Sequence, residues 1–165
     1  MEVYYKTYNL QIYAEIYIQY LSSTFAGLNI TELDLSMLDT DIVGTASQTF
    51  NSCSQLKKLN LSNWILTNEH YNWQGPELNL NPLTLTYFFR SCNNLNEVIM
   101  KNSNRFSIYK IAGQLPTRAV DSPGTFIISM DEELDNELSN LVTSKGWNIN
   151  YKKQVHEYEI ASYYF

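Results

Sequence analysis

The sequence predicts an α/β fold of the solenoid kind, in which stacked coils place short parallel strands along one side. One observation is a phrase that occurs twice, in residues 50–61 and 89–100: an aromatic residue, a cysteine three positions later, and apolar residues at matching steps. A second is a partial copy in residues 30–36, which keeps the apolar spacing of residues 56–62. Self-similarity at a regular spacing is typical of repeat arrays, whose neighbouring coils bury one continuous core.

The repeats predict five short parallel strands, one in each coil. The inward-facing residues that set their register are Leu33, Leu59, Val98, Phe126 and Trp147. Leu33 and Leu59 are 26 residues apart, whereas Leu59 and Val98 are 39 apart, so the second interval contains an insertion of 13 residues. Because alternate side chains of a strand point to opposite faces, these residues form a column in the core. The strands are expected near residues 32–36, 58–62, 97–101, 125–129 and 147–151.

The two Phe-x-x-Cys turns lead into the second and third strands. Phe50 and Phe89 are expected to fill the wide end of their coils, and Cys53 and Cys92 to be small buried residues at the corner. A disulfide between the cysteines is the alternative, because stacked coils bring equivalent positions within bridging range. The paired cysteine spacing of a metal site does not occur, so no metal or other cofactor is predicted.

These motifs resemble the BspA-like leucine-rich repeats of bacterial surface proteins. The resemblance rests on Leu-x-x-Leu-Asp-Leu-Ser, Phe-x-x-Cys-x-x-Leu and Leu-Asn-Leu-Ser-Asn-Trp, and it covers roughly residues 30–101. It implies a curved solenoid with a role in adhesion or attachment, and it implies no catalytic residues. The chain departs from the pattern in the insertion and in a first unit, residues 25–30, that lacks the cysteine.

Residues 130–165 are predicted to form a C-terminal cap of a helix, a strand and an aromatic arm. Ser129 and Glu132 have the spacing of a capping box, and Gly146 is expected to end the helix. The apolar stripe between them, at helical spacing, consists of Leu134, Leu138, Leu141 and Val142. The succession of a turn-rich segment, a strand, a helix and Gly-Trp is similar to the ends of repeat proteins encoded by bacteriophages.

Residues 1–29 are predicted to form a β-rich N-terminal cap. Apolar and polar residues alternate strictly from Leu10 to Tyr20, which favours a strand. A helix over residues 10–25 is the alternative. A strand here would shield the open end of the core, as repeat proteins require. Residues 30–129 then hold the repeats, and the 165 residues form one domain.

Composition and motifs exclude several classes of function. The net charge is −6 and no Lys/Arg cluster occurs, which disfavours nucleic acids and anionic membrane surfaces as partners. Neither a signal-peptide pattern nor a stretch long enough to cross a membrane is present. The chain has two histidines, His70 and His156, and no Gly-x-Ser-x-Gly elbow, so an enzyme is not predicted.

Two segments are the candidate binding sites. The insertion, near residues 67–84, follows Trp64, and insertions in repeat proteins frequently form the binding face. Its rings and amides suit a sugar or a protein, although the rings can instead fold back as a lid over Trp64. The second segment is the arm, residues 156–165, because tyrosine is enriched at interfaces. The candidate residues are Trp64, His70, Tyr71, Trp73, Gln74, Tyr163, Tyr164 and Phe165.

The sequence therefore predicts a non-catalytic attachment protein. The first hypothesis is a bacteriophage virion component that docks onto another virion protein within a larger assembly. A virion protein that is released by lysis needs no signal peptide, which favours this source. The alternative is a bacterial surface adhesin module that binds a host glycan or a cell-surface receptor protein. The expected location is accordingly the virion or the cell exterior.

Overall fold

The computed structural model describes residues 20–41, 43–67 and 83–154, and also the backbone of residues 70–71 and 78–79. Within these ranges the chain is an α/β structure, as the sequence predicts, with a five-stranded parallel sheet and two helices. The elements are β1 (Glu32–Asp34), β2 (Lys58–Asn60), β3 (His70–Tyr71), β4 (Leu78–Asn79), β5 (Glu97–Met100), α1 (Arg105–Gln114), β6 (Gly124–Met130), α2 (Asn136–Thr143) and β7 (Trp147–Lys153).

The sheet has the strand order β1-β2-β5-β6-β7, and every neighbouring pair is parallel. The paired residues along its centre are Leu33, Leu59, Val98, Phe126 and Ile149. The predicted register is therefore confirmed as far as Phe126. It is wrong for the last strand, because Trp147 pairs with Gly124 rather than with Phe126. Glycine leaves open the space that the indole ring fills.

Three segments on the other side of the core stack on one another and form the turn stack, residues 20–27, 45–52 and 84–91. The Leu21 amide donates to the Thr45 carbonyl (2.9 Å), and the Ala46 amide donates to the Thr84 carbonyl (3.1 Å). Left-handed backbone recurs at equivalent places, once at Ser23, Gln48 and Tyr87 and again at Gly27, Ser52 and Ser91. The three turns therefore repeat one backbone conformation, although the spacing between them is unequal.

The rings and thiols of the turns are buried, as the sequence predicts. Phe50 stacks between Phe25 and Phe89, with ring centroids 5.5 and 5.8 Å apart. Cys53 and Cys92 are free thiols that donate to the carbonyls of Phe25 (3.0 Å) and Phe50 (2.9 Å). The disulfide alternative is therefore wrong. The neighbouring Cys53 sulfur, together with burial, raises the pKa of Cys92 above its ordinary value.

The helix α2 begins later than the predicted capping box requires. Its N-cap is Asp135, whose carboxylate accepts a hydrogen bond from the Leu138 amide (2.8 Å). Ser129 lies inside β6 instead, where its hydroxyl accepts from the Asn102 amide (2.9 Å). The capping box is wrong because β6 continues to pair with β7 as far as Met130. Gly146, in left-handed backbone just beyond the helix, ends it as predicted.

The helix α1 connects β5 to β6 and was not predicted. Asn104 caps it by accepting a hydrogen bond from the Ser107 amide (2.8 Å). Ile108 and Ile111 are buried on its inner side. Like α2, it joins two neighbouring parallel strands, which cannot be linked by a short hairpin.

The core is one continuous cluster of side chains that includes residues from both the sheet and the turn stack. All of the predicted arm, and all of the predicted N-terminal strand except Tyr20, lie outside the described residues. Residues 22–27 form turns, so the alternative helix over 10–25 is not found in that part. Among the described helices, none is long and apolar enough to cross a membrane.

Candidate binding surfaces

The outward side of the five-stranded sheet carries two rows of side chains, which together form the sheet face. Because side chains alternate along each strand, the residues beside the buried central column point away from the core. The first row is Glu32, Lys58, Glu97, Thr125 and Asn148. The second row is Asp34, Asn60, Ile99, Ile127 and Asn150.

The middle of the sheet face is apolar. Ile99 and Ile127 are directly paired in β5 and β6, and both are half-buried. Amide side chains flank them in the same row, with Asn60 on one side and Asn150 on the other. A small apolar centre surrounded by polar groups is the usual anatomy of a protein–protein interface.

The sheet face is charged along β1, β2 and the start of β5. Lys58 and Glu97 form an ion pair with a separation of 2.9 Å, and hydrogen bonding to Glu97 raises the pKa of Lys58. Partial burial acts to raise the pKa of Asp34, but hydrogen bonds from Ser36 and Asn60 outweigh it, so this pKa is lowered. Both groups are therefore ionised at neutral pH, and this part of the face offers ordered charges to a partner.

A ladder of side-chain amides crosses the loops that follow the strands. Asn63 donates to the Ser36 carbonyl (3.1 Å), and Asn102 donates to the Asn63 side-chain oxygen (3.3 Å). Gln154 continues the ladder with a hydrogen bond to the side-chain oxygen of Asn102 (2.7 Å). Asn63 and Asn102 are both in left-handed backbone, which asparagine tolerates better than most residues. The ladder fixes the loops beside the sheet face in one arrangement.

Trp64 is not a surface residue, and its predicted role in binding is wrong. Its side chain is fully buried, and its indole nitrogen donates to the Leu35 carbonyl (3.0 Å) in the coil before it. The next residue, Ile65, donates its amide to the Thr40 hydroxyl (2.9 Å). Trp64 therefore ties two neighbouring coils together from inside, and a partner cannot reach it.

The insertion contains a small antiparallel pair of strands. His70 pairs with Asn79, and Tyr71 pairs with Leu78, which joins β3 to β4. The side chains of His70 and Tyr71 lie outside the described residues, as do Trp73 and Gln74. The same holds for Tyr163, Tyr164 and Phe165 of the predicted arm. The binding roles of all seven residues stay predictions.

The sheet face was missed at the sequence level, although a signal was present. Ile99 and Ile127 lie within unbroken apolar runs, and such runs are typical of strands that are covered on both faces. The recurrence of Asn63 and Asn102, 39 residues apart, was the corresponding signal for the ladder. Within the described part of the chain, no group of three or more His, Cys, Asp or Glu residues could hold a metal ion.

Comparisons of the chain with protein-family models, with curated proteins and with solved structures found no match.

Proposed function

We propose that the chain is a non-catalytic attachment protein whose sheet face docks onto another protein. The observation that carries this proposal is the pair of half-buried isoleucines, Ile99 and Ile127, at the centre of an otherwise polar face. Four strand spacings of about 4.8 Å make the face about 19 Å wide, which is broad enough for a protein partner. The ordered charges at Lys58 and Glu97 provide the polar rim.

The fold that we propose is a leucine-rich-repeat solenoid with a cap at each end. Two ladders of backbone hydrogen bonds support it, one through the parallel sheet and one through the turn stack. The helix α2 and strand β7 would form the C-terminal cap, and residues 1–29 the N-terminal cap. A solenoid presents extended surfaces to which partners bind, which agrees with a docking function.

The partner that we propose is another virion protein of a bacteriophage, so that the chain is a structural component of the particle. The order of elements that the sequence predicts for its last third, which resembles the ends of phage-encoded repeat proteins, is the basis for proposing this source. The aromatic arm, residues 156–165, would add to docking by pairing with a strand of the partner. Such β-augmentation gives affinity through main-chain hydrogen bonds and specificity through side chains.

A binding experiment with matched variants tests the docking proposal. The candidate partners are the structural proteins encoded beside this chain, each purified and immobilised for biolayer interferometry. The double substitution Ile99→Thr with Ile127→Thr keeps the β-branched shape that suits a strand but removes apolar surface. We expect it to weaken binding at least about tenfold, which corresponds to roughly 1.4 kcal/mol.

Two further variants complete this experiment. Asn148→Ala, at the edge of the same face, is the matched control and should change binding by less than about threefold, because rim residues contribute little. A chain that lacks residues 156–165 should bind more weakly while its melting temperature stays nearly unchanged. Wild-type affinity in the double isoleucine variant would contradict the proposed role of the sheet face.

A surface adhesin module is the second candidate function, and the hairpin of the insertion favours it. The backbones of β3 and β4 pair within the insertion, and Trp73 lies between these strands in the sequence. Loops that a rigid scaffold positions are common binding sites. Loss of glycan or receptor binding in Trp73→Ala, with binding retained in the double isoleucine variant, would support the adhesin over the virion component.

A further inference from the structure

The turn stack presents an array of hydroxyl groups on the side of the molecule opposite the sheet. Parallel bridges join Tyr20 to Thr45 and Thr45 to Thr84, so the three coils are aligned there. The residues that follow each of them, Leu21, Ala46 and Leu85, are buried. The residues on either side of these therefore point outward. They form the hydroxyl face, which consists of Tyr20, Ser22, Thr45, Ser47, Thr84 and Thr86.

Hydrogen bonds between side chains order this face. The hydroxyls of Ser22 and Thr45 are 2.8 Å apart, and those of Thr45 and Thr84 are 3.5 Å apart. Ser47 also donates to the hydroxyl of Thr84 at 3.3 Å. Each hydroxyl has one donor hydrogen and two acceptor lone pairs, so each can still form a further hydrogen bond with solvent or a ligand. Neighbouring coils are about 4.8 Å apart along the stack, which is the spacing of neighbouring strands.

The first and the third segments of the turn stack each carry an exposed tyrosine ring. Tyr20 is 68% exposed and Tyr87 is 54% exposed. The guanidinium of Arg90 lies 5.1 Å from the ring centroid of Tyr87. The rings are larger than the neighbouring serine and threonine side chains, so they interrupt a flat array. The face therefore does not suit a planar crystalline lattice such as ice.

Tyr87 occupies a backbone conformation that a bulky residue rarely adopts. Its φ is 58°, in the left-handed region, and the equivalent positions hold Ser23 and Gln48. A tyrosine there strains the backbone, which is unfavourable. Its ring is exposed, so the strain is not offset by favourable packing in the core. Strain that persists at an exposed aromatic residue indicates a role for the ring itself.

The face is almost free of charge. Arg90 is the only charged residue in the three segments of the turn stack. Anionic ligands such as phosphate or sulfated polymers are normally bound by clusters of basic groups. A neutral ligand that is rich in hydroxyls and has apolar ring faces matches this surface better.

We propose that the hydroxyl face binds a neutral polysaccharide. Sugar rings would stack on Tyr20 and Tyr87, because the apolar face of a sugar fits an aromatic ring. Sugar hydroxyls would exchange hydrogen bonds with the side chains of Thr45, Ser47 and Thr84. This site is distinct from the sheet face, so it adds a second surface to the proposed attachment function.

The test uses uncharged oligosaccharides as probes. Six-unit oligomers of glucose in α and β linkage, of mannose and of N-acetylglucosamine are titrated into the full chain by calorimetry, with a sulfated heparin fragment as the charged comparison. We expect at least one neutral oligomer to bind and heparin not to bind. Tyr87→Gly should weaken that binding roughly tenfold through loss of ring stacking.

The variant Tyr87→Gly also separates binding from folding. Because glycine adopts left-handed backbone without strain, the melting temperature of this variant should be equal to or higher than that of the wild type. Thr84→Val, which removes one hydroxyl at constant shape, should also weaken binding, whereas the exposed Val120→Ala and the double isoleucine variant should not.

Absence of binding to every neutral oligomer, or unchanged binding in Tyr87→Gly, would overturn the proposal. Concentration-dependent dimers of the wild type that Tyr87→Gly abolishes, without oligomer binding, would assign the face to self-association and overturn it too.

Discussion

The indole ring of Trp147 lies where Gly124, in the neighbouring strand β6, would otherwise carry a side chain. A Cβ atom at Gly124 would come within 2.7 Å of three carbon atoms of this ring. The indole nitrogen donates to the Pro116 carbonyl at 2.6 Å, so the ring is held in place from a second direction. This contact fixes the register between β6 and β7.

Gly124→Ala is therefore expected to destabilise the protein. The added methyl group must displace a buried ring, and such overpacking costs roughly 1–3 kcal/mol. The free energy of unfolding in urea measures the effect. Gly113→Ala is the matched control, because a Cβ there meets no atom within 4 Å and alanine is favoured over glycine in a helix. We expect the control to stabilise α1 slightly. Equal stability of Gly124→Ala and wild type would show that the ring does not occupy this position.

Trp64→Phe tests the buried position of this tryptophan. The substitution removes the indole hydrogen bond to the Leu35 carbonyl, which still accepts from the Leu38 amide, at a cost of roughly 0.5–1.5 kcal/mol. The smaller phenyl ring also leaves a cavity at a fully buried position, which adds to the loss. Urea unfolding measures the loss. Ile65→Ala, at the exposed neighbouring residue, should change stability by less than about 1 kcal/mol. A stable Trp64→Phe variant with impaired partner binding would instead support the original prediction of a surface role.

The two cysteines should be reduced and unreactive in the native protein. Both are buried and donate to backbone carbonyls, and the raised pKa of Cys92 keeps its thiol protonated. Hydrogen bonding with Cys92 lowers the pKa of Cys53 to about 7, so burial rather than protonation keeps a reagent from this thiol. An aromatic disulfide reagent should therefore label neither thiol at neutral pH and label both after denaturation. Mass spectrometry of the intact protein should not show the loss of two hydrogen atoms that a disulfide would cause. Rapid labelling of the native protein would contradict the buried placement.

Stability should fall in acid partly through Asp135. Its carboxylate accepts from the Leu138 amide and the Tyr109 hydroxyl and pairs with Arg105, so its pKa is lowered. A lowered pKa in the folded state gives stability above the unfolded pKa, near 3.9 for aspartate, which is lost as pH falls through the folded value.

Asp135→Asn is the variant that isolates this effect, because asparagine also caps helices but does not titrate. The wild type should be more stable than the variant at neutral pH, and the difference should shrink as the pH falls below about 4. Unfolding free energies measured in urea over this pH range give the comparison. A difference that does not change with pH would show that the carboxylate charge contributes nothing.

Much of the sheet was predictable because the repeated spacing of apolar residues indicates which residues of neighbouring strands pair. Leu33, Leu59 and Val98 were aligned correctly despite the insertion, since the flanking phrase repeats unchanged. The last strand was displaced by two residues. Side chains alternate between the two faces of a strand, so a shift of two residues keeps every side chain of β7 on the same face. The contact between Gly124 and Trp147, which decides between the two registers, has no periodic signal.

The helix α1 and the candidate surfaces were harder to predict. Ile108 and Ile111 have helical spacing, but the stripe is short and falls between two strands of the repeat. Trp64 could not be assigned to the surface or the core from its type alone, because tryptophan suits both. The hydroxyl face depends on three distant segments coming into alignment, and serine and threonine carry no signal until that alignment is known.

The central claim is that the repeated phrases stack in register as a parallel sheet, since the sheet face exists only in that register. Through-hydrogen-bond scalar couplings in a labelled sample measure it directly. The structure predicts a coupling from the Leu35 amide nitrogen to the Asn60 carbonyl carbon. It predicts another from the Leu61 amide nitrogen to the Ile99 carbonyl carbon. Couplings to carbonyls two residues away, or an antiparallel pattern, would contradict the account.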